Sequence, residues 1–384
     1  MTVKVKRITV VTGTRAEYGI YTPILQKFHD DPHFDVNLLV TGMHLSPLYG
    51  MTIDEIKKDG FHIGATVDML LQGDTGANMA KSIGIGILGM SQAFENLNPD
   101  FIFVLGDRGE MLAAAIAGAY MNIPVVHFHG GEVTGSIDES VRHSISKMAH
   151  LHFVSTENNA KRLEKMGEEK WRIHCVGAPR IETIINTRLP SLDLVKNKYR
   201  LSGVKDYYLF VYHPVTTEIF SIEEQVSTVL EVLLNEKKDI ICILPNSDAG
   251  TNQIMTVYKK YEDNINLQLV TNFEHLDYLA ILKNAAALIG NSSSGIIEAA
   301  SFHLPVINIG SRQNGREISE NTINILPNKE ELEKALKRIR SATFKNRLNF
   351  ISNIYGDGNT SERVLNVLRH VSINNRLLQK KLTY

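Results

Sequence analysis

The 384-residue chain contains two cysteines, Cys175 and Cys242, and a single tryptophan. Each cysteine sits inside an apolar run, and no CxxC or zinc spacing occurs, so neither a disulfide framework nor a zinc module can be built. Charge of one sign is lacking as well: 41 Lys and Arg stand against 42 Asp and Glu, for a formal net charge of −1. Binding to nucleic-acid backbone or to an anionic membrane surface needs a basic footprint, and the balance supplies none. A local cationic site for a small anionic ligand remains compatible with it. The start of the chain has no signal-peptide pattern, because its short apolar run passes straight into polar residues. The longest uncharged stretch, Met111–Gly131, is split by Asn122 and Pro124 into an alanine-rich helix and a strand. A membrane span needs ~20 continuous apolar residues. The expectation is a reduced, soluble, cytoplasmic protein with no metal and no cofactor.

What the chain does have is a rhythm. Apolar runs at Ile8–Thr12, Val36–Thr41, Phe101–Gly106, Val125–Phe128, His152–Ser155 and Ile173–Gly177 read as strands. Helical patterns at Pro23–His29, Ala77–Asn96, Met111–Met121 and Glu139–Ala149 lie between them. Continuous apolar strands joined by helical crossovers specify a doubly wound parallel sheet. After Gly177 and Pro179 the rhythm restarts, with strands at Tyr208–Tyr212, Ile240–Leu244, Gln268–Val270, Ala286–Ile289 and Val306–Ile309. The length also favours two domains at ~100–200 residues each. We expect two Rossmann-like α/β domains, 1–180 and 190–358, facing a central cleft, with the C-terminal helix at about 360–384 packing back on the first.

In open α/β sheets, ligands bind beyond the carboxyl ends of the strands, and the chemically conspicuous residues fall there. Gly13-Thr14-Arg15 follows the first strand; a glycine turn, an arginine and a helix start make an anion-binding corner, although GxGxxG is absent. Gly106-Asp107-Arg108 sets an acid beside a base, suited to proton transfer and charge stabilisation; a plain helix cap is the bland alternative. His127-Phe128-His129-Gly130-Gly131-Glu132, then Asp138, bring further titratable groups, and strand alternation puts His127 and His129 on one face. Two histidines without a third spaced ligand argue for an acid–base loop over a metal centre. In the second domain, His213-Pro214 ends a strand and can meet a phosphate or move a proton. Gly290-Asn291-Ser292-Ser293-Ser294-Gly295 offers backbone N–H groups and hydroxyls to a diphosphate, with Glu298 one turn on for ribose hydroxyls. Arg312, in Gly310-Ser311-Arg312-Gln313, adds positive charge after the next strand.

TGTRAEYG (12–19), TGMHL (41–45), GDR (106–108), HGGE (129–132), RHSISKMAH (142–150), HP (213–214), PN (245–246), GNSSSG (290–295) and GSRQ (310–313) resemble the hydrolysing UDP-N-acetylglucosamine 2-epimerases, NeuC-type, of the sialic acid pathway. The resemblance spans nearly the whole chain and implies a GT-B fold and a homodimer. It also implies conversion of UDP-N-acetylglucosamine and water to N-acetylmannosamine and UDP. The GDR form, where others read GDT, resembles the hydrolysing branch. By the same resemblance Arg15, His213, Asn246, Ser292, Ser293 and Glu298 hold UDP, while Asp107, Arg108, Asp138 and Arg312 surround the sugar. Many relatives read HIEGGE where this chain has His127 to Glu132, so His129 replaces a glutamate, which leaves His129, Glu132 and the aspartates as rival proton carriers. The alternatives are the same reaction on UDP-N,N'-diacetylbacillosamine, which feeds legionaminic acid, a GT-B glycosyltransferase, and a non-enzymatic sugar-nucleotide sensor.

Overall fold

The structure, a computed structural model, describes residues 5–72, 75–133, 137–215, 221–236, 238–245 and 250–384. It divides into two compact units, Met1–Thr183 with Tyr355–Tyr384, and Ile184–Ile354.

The first unit carries β1 (Lys6–Thr12), β2 (Phe34–Thr41), β3 (Ile63–Val67), β4 (Phe101–Leu105), β5 (Val125–Phe128), β6 (Leu151–Val154) and β7 (Ile173–Cys175). They form one parallel sheet in the order β3-β2-β1-β4-β5-β6-β7. Alternation divides the strand side chains between two cores. Phe103, Phe128 and Phe153 pack on one face with Phe28, ring centroids 5.1–5.6 Å apart along the row. Ile102, Val104 and Val125 face the other way, onto the alanines of helix Gly109–Tyr120. Burying each such side chain contributes roughly 1.5–3 kcal/mol. A helix over Thr360–His370 adds Val364, Leu365 and Leu368 to the phenylalanine face.

The second unit carries β8 (Tyr207–Val211), β9 (Asp239–Ile243), β10 (Leu267–Val270), β11 (Ala287–Gly290), β12 (Val306–Ile309) and β13 (Thr322–Ile325), in the order β10-β9-β8-β11-β12-β13. Every pairing is again parallel. Each sheet therefore reverses its winding once, between β1 and β4 and between β8 and β11. Loops diverge at such switch points and leave room for a ligand. At the second one, Gly290 has φ 131°, and a Cβ there would lie 2.0 Å from the Val211 carbonyl oxygen. Only glycine fits that approach.

Two local expectations are corrected. The helix read from Pro23 begins at Arg15 and runs through the proline to His29. A capping box starts it, with the Thr14 hydroxyl accepting from the Glu17 N–H and the Glu17 carboxylate accepting in return. The edge strands β3 and β13 were not expected; both are short and less buried than the central strands. Among the described residues no helix is long and apolar enough to cross a membrane.

Candidate active site

The first unit gathers its titratable groups at the carboxyl ends of β1, β4, β5 and β6. Asp107 and Arg108 follow β4 and face different neighbours. The Asp107 carboxylate accepts a hydrogen bond from Arg142 Nη2, out of helix Ile137–Met148. It is not a helix cap: Arg108 occupies the cap position of helix Gly109–Tyr120, with no side-chain cap bond. Burial pushes the Asp107 carboxyl above its ordinary range, and Asp138 and Glu132 push it further, while Arg142 and His129 pull it down. Such a carboxylate is a stronger base than an exposed aspartate.

Arg142, to which no role was assigned from sequence, holds the cluster together. It is 5% exposed, donates from Nη1 to the His129 carbonyl oxygen at 2.8 Å, and stands 3.9 Å from Glu132 Oε2. The β5 strand stops at Phe128, and His129 takes φ 61°, a left-handed conformation uncommon outside glycine. The alternation expected to align His129 with His127 therefore ends one residue early. His127 is a core group: Nε2–H donates to the Gly106 carbonyl oxygen at 2.8 Å and Nδ1 accepts from Ser146 at 3.0 Å. Burial holds its pKa well below the usual histidine value, so it is neutral.

His129 has a different setting. Its Nδ1 is 2.6 Å from Glu132 Oε1, and Ser155, at the end of β6, donates to the same oxygen at 3.1 Å. A carboxylate only accepts, so the contact places a proton on Nδ1. Nε2 is buried with no hydrogen-bond partner among the described residues. Close packing accounts for the glycine pair that follows. A Cβ on Gly131, φ 75°, would lie 2.5 Å from the Asn159 carbonyl oxygen. Asp138 is exposed in the first turn of its helix. Arg15 is exposed too, and its Nε pairs with Glu55 at 3.0 Å.

In the second unit, the loops after β8 and β11 are bound to each other at the switch point. His213 N–H donates to Asn291 Oδ1 at 2.7 Å, and Asn291 Nδ2 donates back to the His213 carbonyl at 2.8 Å. Arg312 Nη1 and Gln313 Nε2 both donate to the Asn291 carbonyl, at 3.0 and 2.8 Å. Asn291, 1% exposed, thus ties three loops together. Ser292 caps the short helix Ser293–Ile297, accepting from the Ser294 N–H at 3.3 Å, and Ser294 bonds the Tyr278 hydroxyl. Glu298, 2% exposed, ends that turn. The unit thereby assembles His213, Ser292, Ser293, Glu298 and Arg312 around one sheet end. Asn246 lies outside the described residues. Among the described residues no three His, Cys, Asp or Glu are grouped to hold a metal ion.

Residues 26–369 match the family profile described as UDP-N-acetylglucosamine 2-epimerase. A Legionella pneumophila protein named UDP-N,N'-diacetylbacillosamine 2-epimerase (hydrolyzing) is 43% identical, over 98% of this chain and 99% of its own. A Campylobacter jejuni GDP/UDP-N,N'-diacetylbacillosamine 2-epimerase (hydrolyzing) is 37% identical over 88% of this chain and 89% of its own. A Neisseria meningitidis UDP-N-acetylglucosamine 2-epimerase is 36% identical over 83% of each chain. Among solved structures, the S. aureus MnaA–UDP co-structure superposes with a TM-score of 0.76 at 21% identity, over 95% of this chain and 96% of that one. That likeness establishes the same two-domain parallel-sheet architecture.

Proposed function

The chain belongs to the UDP-N-acetylglucosamine 2-epimerase family, and from that premise we propose that it is a hydrolysing 2-epimerase of a UDP-linked 2-acetamido sugar. The observation that carries the chemistry is the Asp107–Arg142–His129–Glu132 cluster, half-buried around a buried arginine. For the sugar, we take UDP-N,N'-diacetylbacillosamine. The motif reading places UDP-N-acetylglucosamine first, but the 43% identical relative, matched along nearly its whole length, bears the diacetylated sugar's name. The meningococcal relative keeps UDP-N-acetylglucosamine as the second reading.

The proton on C2 beside an acetamido nitrogen is not acidic, so a base alone cannot remove it. Cleavage of the C1–O bond must lead, with its electron pair leaving on UDP and positive charge growing at C1. Ser292, Ser293, His213 and Arg312 are assigned to the diphosphate, with Glu298 to the ribose and Arg15 and Arg108 to the developing negative charge. One group then takes the C2 proton, giving a C1=C2 double bond. Water adds its oxygen to C1 while a proton returns to C2 from the opposite face, so configuration inverts and free sugar leaves. Two faces need two acid–base groups. We assign Asp107 to one and His129 Nε2 to the other. Glu132 and Ser155 hold the His129 ring by Nδ1, which leaves Nε2 without a protein partner among the described residues, and Asp138 keeps Asp107 basic by repulsion.

Turnover measured side by side on the two UDP-sugars tests the substrate. We expect kcat/KM to favour the diacetylated sugar by at least about tenfold, since a second amide that finds its hydrogen-bond partners is worth that much. Equal or better turnover of UDP-N-acetylglucosamine returns the second reading to first place. A glycosylated acceptor, or unconsumed substrate, points to a glycosyltransferase or a sensor.

A further inference from the structure

Two buried carboxylates at the β1/β4 switch point have no part in the mechanism above. Glu17 and Glu110 are 5% and 4% exposed. Glu17 Oε2 accepts from the N–H groups of Gly13 and Thr14, at 2.8 and 3.1 Å, which completes the helix cap. Its Oε1 has no hydrogen-bond donor among the described residues and lies 3.7 Å from Arg108 Nε. Glu110 Oε1 accepts from Arg108 Nη2 at 3.3 Å. The backbone gives way to these carboxylates. A Cβ on Gly42 would lie 2.6 Å from Glu110 Oε1, and one on Gly13 would lie 3.1 Å from Glu110 Cγ. Capping one helix needs neither Glu110 nor the second oxygen of Glu17. Both address the guanidinium of Arg108, whose side chain is 38% exposed.

We propose that Glu17 and Glu110 are positioning residues for the reaction, gripping Arg108 at Nε and Nη2 so that Nη1 is held toward the anionic charge growing on the leaving group. This rests on the reading of Arg108 as a charge-stabilising group. An ion pair at Nε and a hydrogen bond at Nη2 set one planar guanidinium between two carboxylates, an arrangement a lysine ammonium cannot reproduce. The grip also depends on pH. Burial, then the Glu110 charge, push the Glu17 carboxyl up to about 7, while the Gly13 N–H, Arg108 and the Thr14 N–H oppose the rise. The buried Tyr21 hydroxyl also faces Glu17 and stays protonated. His44, near Glu110, is held down to about 4 and is neutral at pH 7. As pH rises through about 7, Glu17 therefore gains the charge that fastens Arg108.

Glu17→Gln keeps an acceptor for the two cap N–H groups and removes only the charge. At pH 8 we expect kcat to fall about tenfold with KM and UDP affinity within about twofold, an unchanged unfolding temperature, and loss of the ascending limb of activity near pH 7. In the double variant with Arg108→Gln, turnover should be no lower than in Arg108→Gln alone, because both changes remove one interaction. If Glu17→Gln lowers the unfolding temperature, Glu110→Gln serves for the same comparison. Wild-type kcat and pH profile in the glutamate variants, beside a slow Arg108→Gln, overturns the proposal, and so do multiplying losses in the double variant. Normal turnover in Arg108→Gln would instead remove the reading of Arg108 on which the proposal stands.

Discussion

Asp107→Asn is expected to lower turnover by at least about a hundredfold while UDP affinity stays within a few-fold, the pattern of a group used in proton transfer and not in ground-state binding. The substitution is nearly isosteric and still accepts from Arg142 Nη2. What it removes is the basicity that burial, Asp138 and Glu132 confer on the carboxylate. Steady-state kinetics with calorimetric titration of UDP separates the two effects. Parallel losses of turnover and UDP affinity would make Asp107 a binding residue and move the chemistry elsewhere in the cluster.

His129→Gln should be as severe, at least about a hundredfold in turnover, again with UDP affinity intact. Glutamine can hydrogen-bond Glu132 but cannot titrate. The position also requires φ 61°, so His129→Asn, a residue more at ease in the left-handed region, controls for backbone strain. Both variants should be slow, and His129→Glu should regain part of the loss, since a carboxyl group can also carry a proton. Near-normal turnover in His129→Gln with an unchanged pH dependence would leave the proton transfers to the aspartates. Activity in His129→Asn but not in His129→Gln would show that the backbone, not the imidazole, is what matters.

The central strands were legible because burial on both faces writes them as unbroken apolar runs; β4 and β8 are buried at every position. The edge strands β3 and β13 carry no such mark. Ile63–Val67 contains a glycine and is mostly half-buried, and Thr322–Ile325 alternates over only four residues. Pro23 misled because a proline inside a helix is disfavoured, yet this helix is fastened at its start by a capping box and buries Tyr21, Ile24 and Phe28 around the proline. At the site, His129, Glu132 and Asp107 could be named from motifs, because small-residue turns follow strands there. Arg142 could not be assigned a role, since it sits well inside an amphipathic helix and only the fold brings it under Asp107. Nothing local in the sequence marks Glu17 beyond its place shortly after the first strand. Its second function needs Glu110, ninety-three positions away along the chain, to share Arg108 with it. The signal for such a pair lies in tertiary contact and not in local pattern.

Hydrolytic 2-epimerisation by elimination and hydration leaves a distinct isotope pattern in its products. UDP-N,N'-diacetylbacillosamine is turned over in deuterium oxide enriched with oxygen-18, and the products are read by NMR and mass spectrometry. We expect free sugar inverted at C2, with one deuterium on C2, oxygen-18 on C1, and UDP without oxygen-18. Sugar that retains its C2 hydrogen and configuration, or UDP that carries the heavy oxygen, would contradict it.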